Sequence, residues 1–238
     1  MTLDIAQFVT QDGHSMQFSQ QQASDFAKGV AGDFNPIHDV GAKRFCVPGD
    51  LLFAALLNRY GVYTQLHVDL MALVNADVLV KLPAELEAIN EILDEGKRHL
   101  LTINVSGDTT TESGFVSSLV EQYVKFSGKT FPDILVELMR DNQVMINPGR
   151  PLVIYKDMSL KLTSIKGENI SLALDEATLN VEGKKGKACL RFVIKDNDQV
   201  IGHGEKNMLL SGLREFDEQA MTDIVAQYTQ WKQDYQTP

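Results

Sequence analysis

Between Asp50 and Tyr60 the chain reads DLLFAALLNRY, and Leu51, Leu52, Phe53, Ala54, Ala55, Leu56 and Leu57 put apolar groups on almost every side of a helix. A surface helix shows one apolar stripe, whereas a helix apolar all round is buried. The run is far short of the ~20 residues that cross a bilayer, so the rest of the chain must enclose it. Segments with strand character follow: Gln65 to Val80, His99 to Val105 with Leu101, Ile103 and Val105 in alternation, and Phe115 to Phe126.

The plan recurs downstream. Thr130-Phe131-Pro132-Asp133 carries helix-start signals, a Thr cap and Pro in the first turn, ahead of apolar Ile134, Leu135, Val136, Leu138 and Met139. Alternating pairs mark further strands at Leu160/Leu162, Ile170/Leu172/Leu174, Leu190/Phe192/Ile194 and Val200 to Leu210, with turns at Lys166-Gly167 and Asp196-Asn197-Asp198. The expected fold is α+β, with two central helices each wrapped by an antiparallel sheet, in lobes spanning 1–129 and 130–238. Side-by-side pairing would protect the sheet edges that one lobe leaves open. From Glu215 to Tyr235, Met221, Ile224, Val225, Tyr228 and Trp231 recur at helical spacing, predicting an amphipathic helix that docks on its own sheet or on a partner.

Acids outnumber bases by 32 to 22, a net charge of −10, which argues against a nucleic-acid partner because phosphate neutralisation dominates such binding. The basic run Gly183-Lys184-Lys185-Gly186-Lys187 reads as a solvated hairpin turn. Cys46 and Cys189 offer no disulfide framework, and no basic stretch leads an apolar core at the N-terminus, so a reducing cytoplasm is expected and no membrane span. Ser127-Gly128-Lys129-Thr130 is not a phosphate loop, since Tyr123 stands where the first glycine is required. His14, His67 and His99 lack metal-ligand spacing, so no metal is expected. A homodimer is left open.

The segment from Phe26 to Gly61 carries the chemistry. Asp33-Phe34-Asn35-Pro36-Ile37-His38 gathers a carboxylate, an amide and an imidazole around an Asn-Pro turn starter. Pro36 rules out a regular helix through Asn35, so these groups sit on a shaped loop. Asp and His suit proton transfer to and from water. The same residues also suit a structural turn, and spacing alone leaves both readings open.

GDFNPIH, followed by RFCVPGDLLFAALL, resembles the hydratase motif of the MaoC-like family, which includes (R)-specific enoyl-CoA hydratases. The resemblance implies a hot-dog fold, here doubled, in which the apolar helix is the central one. It implies that Asp33 and His38 are the catalytic pair activating water for addition across an enoyl thioester, or for the reverse dehydration. By the same resemblance Asn35, Gly49 and Asp50 are substrate-binding positions, with the Gly49 N–H helping to hold the thioester carbonyl. No cofactor is implied; the partner is an acyl-CoA or acyl-carrier thioester acting as substrate. The alternatives are a non-catalytic module binding an acyl group or a protein, and an acyl-CoA thioesterase.

Three departures stand out. The stretch from His38 to Gly49 is shorter than in typical hydratases, Pro48 replaces the family's His, and Asp50 replaces its Met. The second lobe has no Asp-Asn-His counterpart ahead of Pro132, so at most one such site is expected per chain. At a helix start Asp50 is expected to accept from first-turn N–H groups and so compete with a thioester oxygen, or else to turn to solvent or a basic neighbour such as Arg44 or Arg59 and leave those groups free.

Overall fold

Seven consecutive residues, Leu51 to Leu57, are buried in the helix Gly49–Tyr60, which is therefore enclosed as its composition requires. The computed structural model describes residues 3–149 and 152–236. In chain order the elements are β1 (Thr10–Asp12), β2 (Ser15–Gln17), α1 (Gln20–Asp25), α2 (Gly49–Tyr60), β3 (Val62–Leu70), β4 (Val80–Lys81), β5 (Ile89–Asp94), β6 (His99–Thr110) and α3 (Ser113–Ser127). Then come α4 (Leu135–Asp141), β7 (Val144–Met145), β8 (Val153–Leu162), β9 (Ile170–Glu182), β10 (Lys185–Asp196), β11 (Gln199–Ser211), β12 (Arg214–Glu215) and α5 (Glu218–Gln236).

Ten strands form one antiparallel sheet in the order β1-β2-β4-β5-β6-β3-β8-β11-β10-β9. Two meanders meet in it where β3 pairs with β8, with Leu66 opposite Leu160 and Val68 opposite Met158. That junction hides the strand edge each meander would otherwise expose. Alternation sorts the side chains: Ala188, Leu190, Phe192 and Ile194 of β10 face inward, while Arg191 and His203 face solvent.

The segment Phe115–Phe126, expected as a strand, is the helix α3. Its β-branched and aromatic residues suggest a strand, yet Phe115, Leu119, Val120, Tyr123, Val124 and Phe126 recur at helical spacing and are buried. Glu112 fixes the start by accepting from the N–H groups of Gly114 and Phe115. α3 lies beside α2, with the Tyr123 ring 5.0 Å from Phe53 and Phe126 4.9 Å from Phe192. Burying each such side chain contributes roughly 1.5–3 kcal/mol.

The second expected helix also differs. Pro132 holds Phe131 extended (φ −121°, ψ 131°), Thr130 makes no cap, and regular helix begins only at Leu135. α4 builds a second core with β7, the far ends of β9 to β11, and α5, through Leu135, Met139, Leu190, Leu210 and Met221. The amphipathic C-terminal helix is present as read, and no described helix is long and apolar enough to cross a membrane.

Candidate active site

Ser19 and Gln22 cap α1 reciprocally, and the chain continues through a wider helical turn, Phe26–Ala31, to Gly32. Gly32 takes a left-handed conformation (φ +70°), turning the chain so that the Asp33 N–H reaches the Ala27 carbonyl at 2.7 Å. The polar side chains then shape the loop. Asp33 Oδ1 accepts from the Asn35 N–H at 2.9 Å, and Asn35 Oδ1 accepts from the Ile37 N–H at 3.2 Å, starting the single turn Pro36–His38.

The imidazole of His38 is buried, and its Nδ1 lies 2.6 Å from the Cys46 carbonyl oxygen. A carbonyl only accepts, so Nδ1 carries the proton and Nε2 of the neutral ring is free to take one. Nε2 stands 3.7 Å from Asp33 Oδ2, too far for a direct hydrogen bond and suited to sharing a small hydroxylic group. Cys46 itself is no nucleophile at neutral pH, because burial pushes its thiol up to about 11.

The second wall is the start of α2. Leu51 and Leu52 direct their N–H groups to the Pro48 carbonyl, and Pro48 offers no side-chain cap. Among the described residues the N–H groups of Gly49 and Asp50 have no such partner, as first-turn donors commonly lack one. Position 49 has no room for a side chain, since a Cβ there would lie 2.3 Å from the Tyr155 ring.

The expected cap by Asp50 is overturned, and the basic neighbour it turns to is Lys206. Its carboxylate neither caps α2 nor meets Arg44 or Arg59. Asp50 accepts from the Tyr123 hydroxyl at 2.8 Å and the Ser127 hydroxyl at 2.5 Å, and pairs with the Lys206 ammonium at 3.4 Å. Lys206 also reaches Ser127 and sits 4.5 Å over the Tyr155 ring. Burial first, and the Asp50 charge second, hold the phenols of Tyr123 and Tyr155 well above their ordinary range. Competition for these partners, all within reach at the helix flank, explains why the carboxylate leaves the helix axis. Sequence reasoning missed Lys206, whose signal was its inward position between Gly204 and Met208 in β11.

One cavity of about 740 Å³ joins these walls, and Asp33, Asn35, His38, Gly49 and Asp50 all line it. Its lining also includes the apolar residues Leu135, Val153, Met208, Ile224 and Trp231, drawn from the second core, its strands and α5. No cluster of metal-binding side chains occurs among the described residues. The arrangement offers a proton acceptor beside a carboxylate, helix-start donors for a developing anion, and apolar residues on the same cavity.

A crystal structure of a conserved protein with hot dog fold from Alicyclobacillus acidocaldarius is similar to this chain, with 10% identity, a TM-score of 0.50, and coverage of 89% of this chain and 99% of that one. It shows the hot-dog fold for this chain, as expected. A TesB protein of Mycobacterium avium subsp. paratuberculosis is 8% identical over 87% of this chain and 97% of its own, with a TM-score of 0.45. A MaoC-like dehydratase is 8% identical over 87% and 99%, with a TM-score of 0.40. No curated protein matches the sequence. The family described as "Protein of unknown function (DUF3581)" matches residues 2–219, and the chain belongs to that family.

Proposed function

We propose that this cavity binds an acyl thioester and that the protein adds water to the 2,3-double bond of an enoyl thioester, or removes it from the 3-hydroxyacyl product. The observation that carries this reading is His38 held with Nδ1 on the Cys46 carbonyl and Nε2 turned to Asp33, on the same cavity as the α2 start. The resemblance of the loop to the MaoC-like motif supports the same chemistry.

In this mechanism the thioester oxygen faces the Gly49 and Asp50 N–H groups, and a water sits between Nε2 of His38 and Asp33. His38 takes a proton as the water oxygen bonds to C3. Charge moves to the thioester oxygen, where the helix start and its dipole stabilise it. The proton is then returned to C2, restoring the neutral imidazole. Lys206 offsets the nearby Asp50 charge, which would otherwise oppose the enolate. A positioned acid or base contributes typically ~10²–10⁴-fold in rate, and each anion-holding donor ~10²–10³-fold. The reading calls on no cofactor, and the two unpaired cysteines suit a reducing cytoplasm.

Enoyl-CoAs of several chain lengths, followed separately for loss of the conjugated enoyl absorbance and for release of free thiol, test it. Enoyl loss without thiol is the expected result. Thiol release would assign a thioesterase, and acyl-CoA binding with neither change would assign a non-catalytic module.

A further inference from the structure

We infer that the C-terminal helix α5 is a working part of this site, with Tyr228 as a positioning residue for Asp33; the inference rests on the hydratase reading above. The Tyr228 hydroxyl donates to the Gly32 carbonyl at 3.2 Å and accepts from the Phe34 N–H at 3.0 Å. A single oxygen thus ties the residues on either side of Asp33, from a position 194 residues beyond Phe34.

The loop depends on that tie. Between Gly32 and Asn35 the chain is in neither helix nor strand, and the Asp33 and Asn35 N–H groups are already committed to Ala27 and to the Asp33 side chain. Phe34 is 4% exposed, so without the phenol its N–H would be buried with no water to replace the partner. The ring itself is clamped edge-on against Phe34 at 5.9 Å and Phe131 at 5.0 Å. Burial, with the Asp33 charge beside it, keeps the phenol protonated far above its ordinary range, so the hydroxyl keeps its donor role at every working pH.

α5 also forms part of the cavity, through Ile224, Gln227 and Trp231. The helix that pins the carboxylate therefore also walls the cavity. Displacing Asp33 by even ~1 Å relative to His38 would be felt in turnover rather than in substrate affinity, because reacting groups tolerate little misplacement.

Tyr228→Phe removes the one oxygen and keeps the ring packing. Steady-state hydratase kinetics should show kcat lower by roughly 10- to 100-fold with KM within about twofold of wild type. Tyr235→Phe, whose ring also meets Phe34 at 5.7 Å, is the control and should keep wild-type kcat. Amide hydrogen exchange gives a readout independent of turnover: the Phe34 amide of the native protein should be protected, and should lose protection in a Tyr228→Phe protein that still melts cooperatively. An active wild type with an equally active Tyr228→Phe, an equal loss in Tyr235→Phe, or a fast-exchanging native Phe34 amide would overturn the inference alone. An inactive wild type would remove the hydratase reading and this role with it.

Discussion

Asp50 and Lys206 stand 156 residues apart in sequence and hold their charges 3.4 Å apart on the cavity wall, where both side chains are almost fully buried. The pair links the start of α2 to β11, and Ser127 joins α3 to it. Removing one partner leaves an uncompensated buried charge, which typically costs ~3–5 kcal/mol, whereas replacing both by apolar groups is often neutral or better. Lys206→Met and Asp50→Met should each lower stability strongly in denaturant melts, and the double Met variant should recover most of the loss. Additive losses in the double variant would refute the pairing. Asp50→Met frees no N–H donor, because Asp50 caps none, and so is not expected to raise activity by releasing one.

Gly49 is fixed by its neighbours. An added methyl would lie 2.3 Å from the Tyr155 ring and 2.9 Å from Leu70, so Gly49→Ala must push the α2 start away from β8 and β3. Such overpacking costs ~1–3 kcal/mol. Thermal melts should show that loss together with a larger fall in kcat/KM, since the displaced N–H groups are those that face the thioester oxygen. A variant with wild-type kcat/KM would remove Gly49 from the site.

The buried acids predict an alkaline limit. Cys46 is raised from 9.0 to about 11 by burial, and burial likewise raises Tyr123, Tyr155 and Tyr228 above their ordinary 10.0. The folded chain holds these protons more tightly than the unfolded chain. Their contribution to stability is therefore complete below pH 9 and declines through the window from 9 to 11 for Cys46, with the phenols adding to the decline above 10. Melting temperature should fall steadily above pH 9, and part of the phenolate absorbance of the six tyrosines should appear only on unfolding. Full phenolate titration in the folded protein near its ordinary pH would contradict the burial of these groups.

What the sequence disclosed, and what it hid, follows from the range of the interactions. α2 was legible because Leu51 to Leu57 leave no polar face, and the meanders because Leu101, Ile103 and Val105 alternate. The Asp33, Asn35 and His38 loop was legible because its shaping bonds span only two residues each. α3 was misread because its aromatic and β-branched content outweighed its helical spacing. The partners of Asp50 lie 73, 77 and 156 residues away, and no local pattern announces such meetings. Tyr228 was read as one apolar position of an amphipathic helix, which says nothing of what its hydroxyl ties down.

The most direct measurement is the loss of conjugated enoyl absorbance catalysed by wild type, Asp33→Asn and His38→Ala under identical conditions. Both substitutions lie on the polar loop and should leave the fold intact by circular dichroism. The account predicts measurable hydration by wild type and a fall of roughly 10²-fold or more in each variant, as removal of a positioned base or its carboxylate partner produces. Equal rates in all three proteins, or an enoyl thioester left unchanged by wild type, would contradict it.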